Sequence, residues 1–126
     1  MFLEEKLKSI LNDFNYKLEI VNDLKYLLVY DSNVHEILKI LKMNYFQVLI
    51  DCFAMNTIYD SESNTIYYHL LDYNNNQDIC IYTNIKEKSI KSITDIFENA
   101  NWYEREIYEI YNINFIGNNN LKKLFT

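Results

Sequence analysis

The sequence predicts a single α+β domain over residues 1–126: a mostly antiparallel sheet with helices packed on one face, in the order α-β-β-α-β-β-β-α. Three observations lead there. Apolar residues recur at helical spacing in three separated stretches, apolar or alternating runs of strand length fill the intervals, and clusters of Asn and Asp punctuate them where turns belong. A chain of 126 residues is long enough to bury a core without disulfide or metal staples.

In chain order, Phe2, Leu3, Leu7, Ile10, Leu11 and Phe14 define an amphipathic first helix with Asn15 as its stop. Residues 17–21 and 25–30 read as two short strands around an Asn22-Asp23 turn. Ser32 or Asn33 offers an N-cap to a helix from Val34 to Met43, with Ile37, Leu38, Ile40 and Leu41 on its buried side. FQVLIDCFAM, residues 46–55, reads as a largely buried strand, and residues 60–64 as a turn. TIYYHLLDY and DICIYTNI flank an Asn-rich tip at residues 74–76, the pattern of a long hairpin. Residues 92–97 form a short connector. Asn99 or Asn101 caps a helix from Trp102 to Tyr111 that ends at Asn112, and Gly117 leads into LKKLF.

Composition narrows the function. The net charge is −6, and residues 47–98 carry eight acids against three bases, so no basic face is present to displace counterions from nucleic acid. No apolar run approaches the roughly 20 residues that span a bilayer, and Glu4 and Glu5 stand where a secretory or transit peptide would be basic, so the chain is expected to be soluble and unprocessed. Pro is absent, Gly117 is the only Gly and Arg105 the only Arg, while Asn, Ile, Lys and Tyr abound. That bias follows A/T-rich codons, and a lone Arg is informative against it: the planar guanidinium pairs bidentately with carboxylates and stacks on aromatic rings, as a Lys ammonium cannot.

The inventory for chemistry is thin. A phosphate-binding loop needs several glycines, and this chain has one. His35 and His69 have no neighbour at a spacing that builds a triad by itself. One metal site can be drawn in space from Cys52, His69 and Cys80, all on expected strands. Structural zinc normally uses tight local pairs, however, so Cys52 and Cys80 read first as free thiols in a reducing compartment. Asp60 and Glu62 read as a solvated loop.

ANWYEREIYEIY, residues 100–111, is the densest feature. On a helix, Tyr103, Ile107, Ile110 and Tyr111 fall on one stripe, and Trp102, Glu106 and Glu109 on another. Arg105 is placed to stack on Trp102 and to pair with Glu109. A solvated charged face and a protein interface are both open readings; the clustering of Trp, Tyr and Arg, the residues enriched in interface hot spots, favours contact.

The stretch SITDIFENANWYEREIYEIYNINFIGNNNLKKLF, residues 92–125, resembles the signature region of the C-type subunit of respiratory NADH:quinone oxidoreductase (complex I), called NADH dehydrogenase subunit 9 when mitochondrially encoded. LIDCFAMN and IYYHLLDYNNNQDICIYTNI resemble that family's preceding strand and hairpin, so the likeness runs from about Leu41 to Phe125, and more loosely over the first forty residues. The family's Glu-Arg-Glu and following acid fall on Glu104, Arg105, Glu106 and Glu109, after Trp102; its paired Arg fall on Lys122 and Lys123, and a usual Gly falls on Asn112. The resemblance implies a non-catalytic subunit of the hydrophilic arm that binds no cofactor, with NADH, FMN, iron-sulfur clusters and quinone handled by other subunits. Its implied partners are the large quinone-site subunit (D-type) and neighbouring iron-sulfur subunits. Its implied place is peripheral on the inner membrane, on the mitochondrial matrix side or the bacterial cytoplasmic side. The interface residues it implies are Trp102, Glu104, Arg105, Glu106, Glu109, Lys122 and Lys123. Members commonly continue into a tail along the large subunit, which the stop at Thr126 leads one to expect shortened or supplied otherwise. The equivalent subunit of a membrane-bound hydrogenase complex, a stand-alone protein-binding module and a small metal-dependent enzyme are the alternatives.

Overall fold

A computed structural model describes residues 2–57 and 60–118. Helix α1 (Phe2–Ile10) is followed by strands β1 (Tyr16–Val21) and β2 (Leu24–Val29), a 3-10 turn (Asp31–Asn33) and helix α2 (Val34–Asn44). Strands β3 (Val48–Thr57), β4 (Asp60–Asp72) and β5 (Gln77–Ile85) come next, then the short β6 (Ser89–Lys91), helix α3 (Ala100–Tyr111) and β7 (Asn114–Ile116).

Five strands form one sheet in the order β1-β2-β5-β4-β3, antiparallel except at the β2–β5 junction. That parallel pairing needs a long crossover, which α2 and the β3–β4 pair provide. The expectation of a mostly antiparallel α+β domain holds. Two strands were not foreseen: β6 and β7 pair in parallel, Ile90 opposite Phe115.

The β1–β2 turn follows from residue chemistry. Asn22 and Asp23 both have positive φ, 51° and 68°, and Val21 pairs with Leu24, so the two-residue loop is of the type that requires left-handed conformations and favours Asn and Asp. At the other hairpin Asp72 pairs with Gln77 and organises the tip: its carboxylate accepts from Asn74 N–H (3.1 Å) and Asn75 Nδ2 (2.8 Å). Burial alone would raise the Asp72 carboxyl, but hydrogen bonds from Asn75, Gln47 and the backbone outweigh it and hold it below the ordinary range.

The turn expected at residues 60–64 is strand instead: β4 starts at Asp60, which faces Thr57 of β3. Polar composition in DSESN misled, because Asn64 is buried and hydrogen-bonded to Asn56 Oδ1 and to Lys88 Nζ, so its amide is satisfied inside the fold. The expected caps differ as well. Neither Asn33 nor Asn99 makes a side-chain cap bond; Asn99 Nδ2 donates to Leu49 O across the chain at 2.8 Å, and α3 starts at Ala100.

One face of the sheet carries the core. Leu3, Leu7 and Leu11 around α1 and Ile37, Leu38 and Leu41 of α2 are buried with Ile66, Tyr68 and Leu70 of β4 and Ile79 and Ile81 of β5. Strand alternation puts Tyr67, His69, Cys80 and Tyr82 on the opposite face. There Phe53 is 39% exposed and Met55 51%, so that face is left uncovered by the chain's own helices.

Candidate docking site on the third helix

Helix α3 lies against β3, held at its start by Asn99 on Leu49 O and one turn later by the Tyr103 hydroxyl, which donates to Ile50 O at 3.0 Å. These side chains also occupy carbonyls near the start of an edge strand. At the other end Asn112 takes the left-handed conformation (φ 58°, ψ 34°) and its N–H returns to Tyr108 O at 2.9 Å. Asn is the residue after Gly best suited to that position, so Asn112 supplies the helix stop.

The buried side of α3 is built on Ala100, Glu104 and Ile107, with Tyr103, Tyr108 and Tyr111 packed partly against the core. Glu104 has no exposed surface. Its Oε1 accepts from Ser92 Oγ (2.7 Å) and Asn118 Nδ2 (2.9 Å), and its Oε2 accepts from the Ile93 N–H (2.9 Å). Burial pushes the Glu104 carboxyl above its usual range, opposed by those three hydrogen bonds, while Asp95 adds to the upward push. Glu104 thus ties the helix to the connector before it and to the segment after it. A trace of this was present in the sequence: Glu104 falls four residues after Ala100 and three before Ile107, on the apolar stripe.

Ile110, expected on the buried stripe, is 70% exposed. At about 100° per residue it lies within about 20° of Tyr103, which reaches Ile50 O, so its exposure comes from its place about two turns further along α3 rather than from its angle. It joins Trp102, 66% exposed, and the exposed Glu106 and Glu109 on the outer face. Trp102 therefore does not pack into its own domain. Arg105 stands beside this face, and among the described residues it has no ion pair with Glu109 or any other acid; its Nε is buried without a hydrogen-bond partner. Lys122 and Lys123 lie outside the described residues.

The drawn metal site is not assembled. Cys52 pairs with Tyr68 and is buried on the core face, whereas His69 and Cys80 pair with each other on the open face, so the sheet separates the two thiols. Burial, then Glu104 and Asp51, raise the Cys52 thiol well above its ordinary value, which makes it a poor thiolate ligand. His69 Nε2 is 2.7 Å from Asp78 Oδ2, and His35 Nε2 is 2.9 Å from Asp95 Oδ2. Among the described residues no group of three or more His, Cys, Asp or Glu is arranged to hold a metal, and no helix is long and apolar enough to cross a membrane.

The family model described as respiratory-chain NADH dehydrogenase, 30 kDa subunit, matches residues 27–126. The chain belongs to that family. Relatives include the C-type subunit of NADH-quinone oxidoreductase from Rickettsia typhi, 40% identical over 82 residues that cover 64% of this chain and 42% of the relative. Another is the C/D subunit of the same oxidoreductase from Nitrosospira multiformis, 33% identical over 105 residues, 74% of this chain and 17% of the relative. The family match begins at residue 27, within the first forty residues, where the resemblance read in the sequence is looser. This member's aligned part spans about two-fifths of the Rickettsia relative's length. Its fold is shared with a chain of the membrane-bound sulfane sulfur reductase, an archaeal respiratory membrane complex, with a TM-score of 0.85 at 19% identity over 100% of this chain and 77% of that one. A trypsin-resistant fragment of Nqo5 gives 0.75 at 19% identity, covering 94% of this chain and 98% of the fragment.

Proposed function

We propose that this chain is a non-catalytic, cofactor-free structural subunit in the hydrophilic arm of NADH:quinone oxidoreductase. It docks through the outer face of α3 on the large quinone-site subunit and so supports electron transfer from NADH to quinone through centres held by other chains. The observation that carries the docking surface is the pairing of two large exposed side chains, Trp102 and Ile110, with an Arg105 that has no ion-pair partner among the described residues. An apolar anchor beside an unpaired guanidinium is the composition of an interface hot spot, and removing such an anchor costs about 2 kcal/mol or more of binding.

Glu106 and Glu109 belong to this outer face, and Lys122 and Lys123 are assigned to the same contact. Glu104 serves it from beneath, by fixing the helix that presents it. The choice of partner is supported by the relative from Nitrosospira multiformis, whose name joins the C-type and D-type subunits. Neighbouring iron-sulfur subunits complete the surroundings, and the chain's attachment to the membrane is peripheral, through the complex.

Native gel separation of gently solubilised membranes, with mass spectrometry of each band, tests the reading. Co-migration with NADH-oxidising activity and the large quinone-site subunit is the expected result. A chain that runs free is a stand-alone binding module, and one that runs with a hydrogenase is the equivalent subunit of a membrane-bound hydrogenase complex; either result rejects the assignment to complex I.

A further inference from the structure

The side of the sheet away from the helices carries a continuous aromatic row. Strand register aligns Leu28 of β2, Tyr82 of β5, Tyr67 of β4 and Phe53 of β3. Tyr67 stacks on Phe53 (centroids 4.8 Å apart, planes 11° apart) and on Tyr82 (5.5 Å, 17°), and Tyr26 meets Tyr82 edge-on at 6.4 Å. At the two margins of this face Met55, Val21 and Leu24 are 51%, 50% and 44% exposed. Together they border a hollow of about 470 Å³. A contiguous apolar surface of this kind, rather than scattered single residues, marks a contact site.

The next row of the same face runs Glu19, Tyr26, Cys80, His69 and Asp51, and Asp78 reaches His69 from β5. Glu19 is ion-paired with Lys17 at 3.6 Å and Lys25 also lines the hollow, so among the described residues the carboxylates of this face without a lysine partner are Asp51 and Asp78. Burial, then Asp51 and Asp78, push the Cys80 thiol up to about 12, and burial, then Glu19, raises the Tyr82 phenol. Negative potential over stacked π faces is complementary to a cation carried on an apolar body, because the ring quadrupole and the carboxylates both attract it.

We infer that the open face of the sheet is a second docking surface, which receives a segment of another protein chain presenting an arginine or lysine among apolar side chains. It is separate from the α3 face, which lies over the core side of the same sheet, and the inference does not depend on which chain α3 contacts.

The test is photo-cross-linking in the complex isolated from membranes, with p-benzoylphenylalanine in place of Met55 and mass spectrometry of the adduct. The expected product joins this chain to a different one, at a peptide holding Arg or Lys between apolar residues. Asp51→Lys with Asp78→Lys should lower adduct yield at least tenfold while co-migration with the α3 partner persists. Where the charge-reversed chain fails to fold, the unaltered charges are read by salt: a cation-bearing segment loses yield as ionic strength rises, and a purely apolar one does not. An adduct to a second copy of this chain, an adduct peptide without a cation, a yield indifferent to charge reversal or salt, or no adduct would each overturn the proposal. A chain that forms the expected adduct yet runs without the quinone-site subunit would reject the complex I assignment and leave this surface standing.

Discussion

Ser92 and Glu104 meet through a 2.7 Å hydrogen bond between the Ser92 hydroxyl and Glu104 Oε1, in a place closed to solvent. The same carboxylate holds Ile93 N–H and Asn118 Nδ2, so three segments of the last quarter of the chain converge on one side chain. The outer face of α3 can present Trp102 and Arg105 in a fixed direction because its inner face is anchored this way.

Glu104→Ala removes an acceptor from three buried donors. Leaving a buried donor unsatisfied costs about 1–3 kcal/mol, so with relaxation the variant should lose about 3 kcal/mol of unfolding free energy. Glu104→Gln, which keeps one carbonyl oxygen and the shape, should lose about 1 kcal/mol. Urea titration of both variants checks the order; equal losses would deny the network its role.

The pH profile should carry two opposed signatures. Glu104 has a folded-state pKa raised above its unfolded value, so its contribution is complete below the ordinary glutamate range, about 4.3, and is lost as pH rises through the raised value. Asp72 and Asp95 are lowered: burial would raise each, but hydrogen bonds from Asn75 and Gln47 to Asp72 and from His35 to Asp95 prevail. Their contributions are present above the ordinary aspartate range, about 3.9, and vanish as pH falls through the lowered values. Thermal melts across pH should show the loss on the acid side reduced in Asp72→Asn, and the decline on raising pH through the carboxyl range reduced in Glu104→Gln.

Trp102→Ala should leave the isolated domain within about 0.5 kcal/mol of the parent, as surface substitutions do, because Trp102 is 66% exposed. In the assembled complex the same change should weaken retention by at least tenfold. A melt that fell as steeply as retention would place Trp102 in the fold rather than the interface.

Arg105→Lys keeps the charge and loses the planar fork. With no ion pair to lose among the described residues, the domain's stability should move by less than about 1 kcal/mol, while co-migration in native gels falls severalfold. An isolated-chain melt that dropped with assembly would contradict the separation of roles.

Asn112→Gly should be neutral or slightly stabilising, because glycine adopts the φ of 58° without strain. Asn112→Val should cost about 1–2 kcal/mol, as a β-branched side chain is poorly accommodated there. Equilibrium unfolding of the pair separates the backbone demand from any side-chain contact.

Much of this was legible in the residues. The Asn22-Asp23 hairpin, the arms and tip of the β4–β5 hairpin and the stop of α3 at Asn112 are local demands of backbone conformation and hydrophobic period, which a short window of sequence contains. The family could be read from the segment around Glu104 to Glu109 because rare residues fall there in order. By contrast, residues 60–64 were misread because a polar stretch looks the same whether its amides meet water or, like Asn64, meet Asn56 and Lys88. Ile110 was misplaced for a similar reason: periodicity assigns a residue to a stripe but not to the width of the element beneath it.

The sequence by itself thus determined the three helices, the first five strands, the Asn22-Asp23 turn, the turn at residues 74–76 and the family. Only the tertiary structure decided that β2 lies parallel to β5, that Cys52 and Cys80 stand on opposite faces of the sheet, that Glu104 turns inward, and that an aromatic face is left open. The physical reason is separation along the chain. Tyr26 and Cys80 are partners across more than fifty residues, and whether a side chain is buried depends on which surface arrives to cover it.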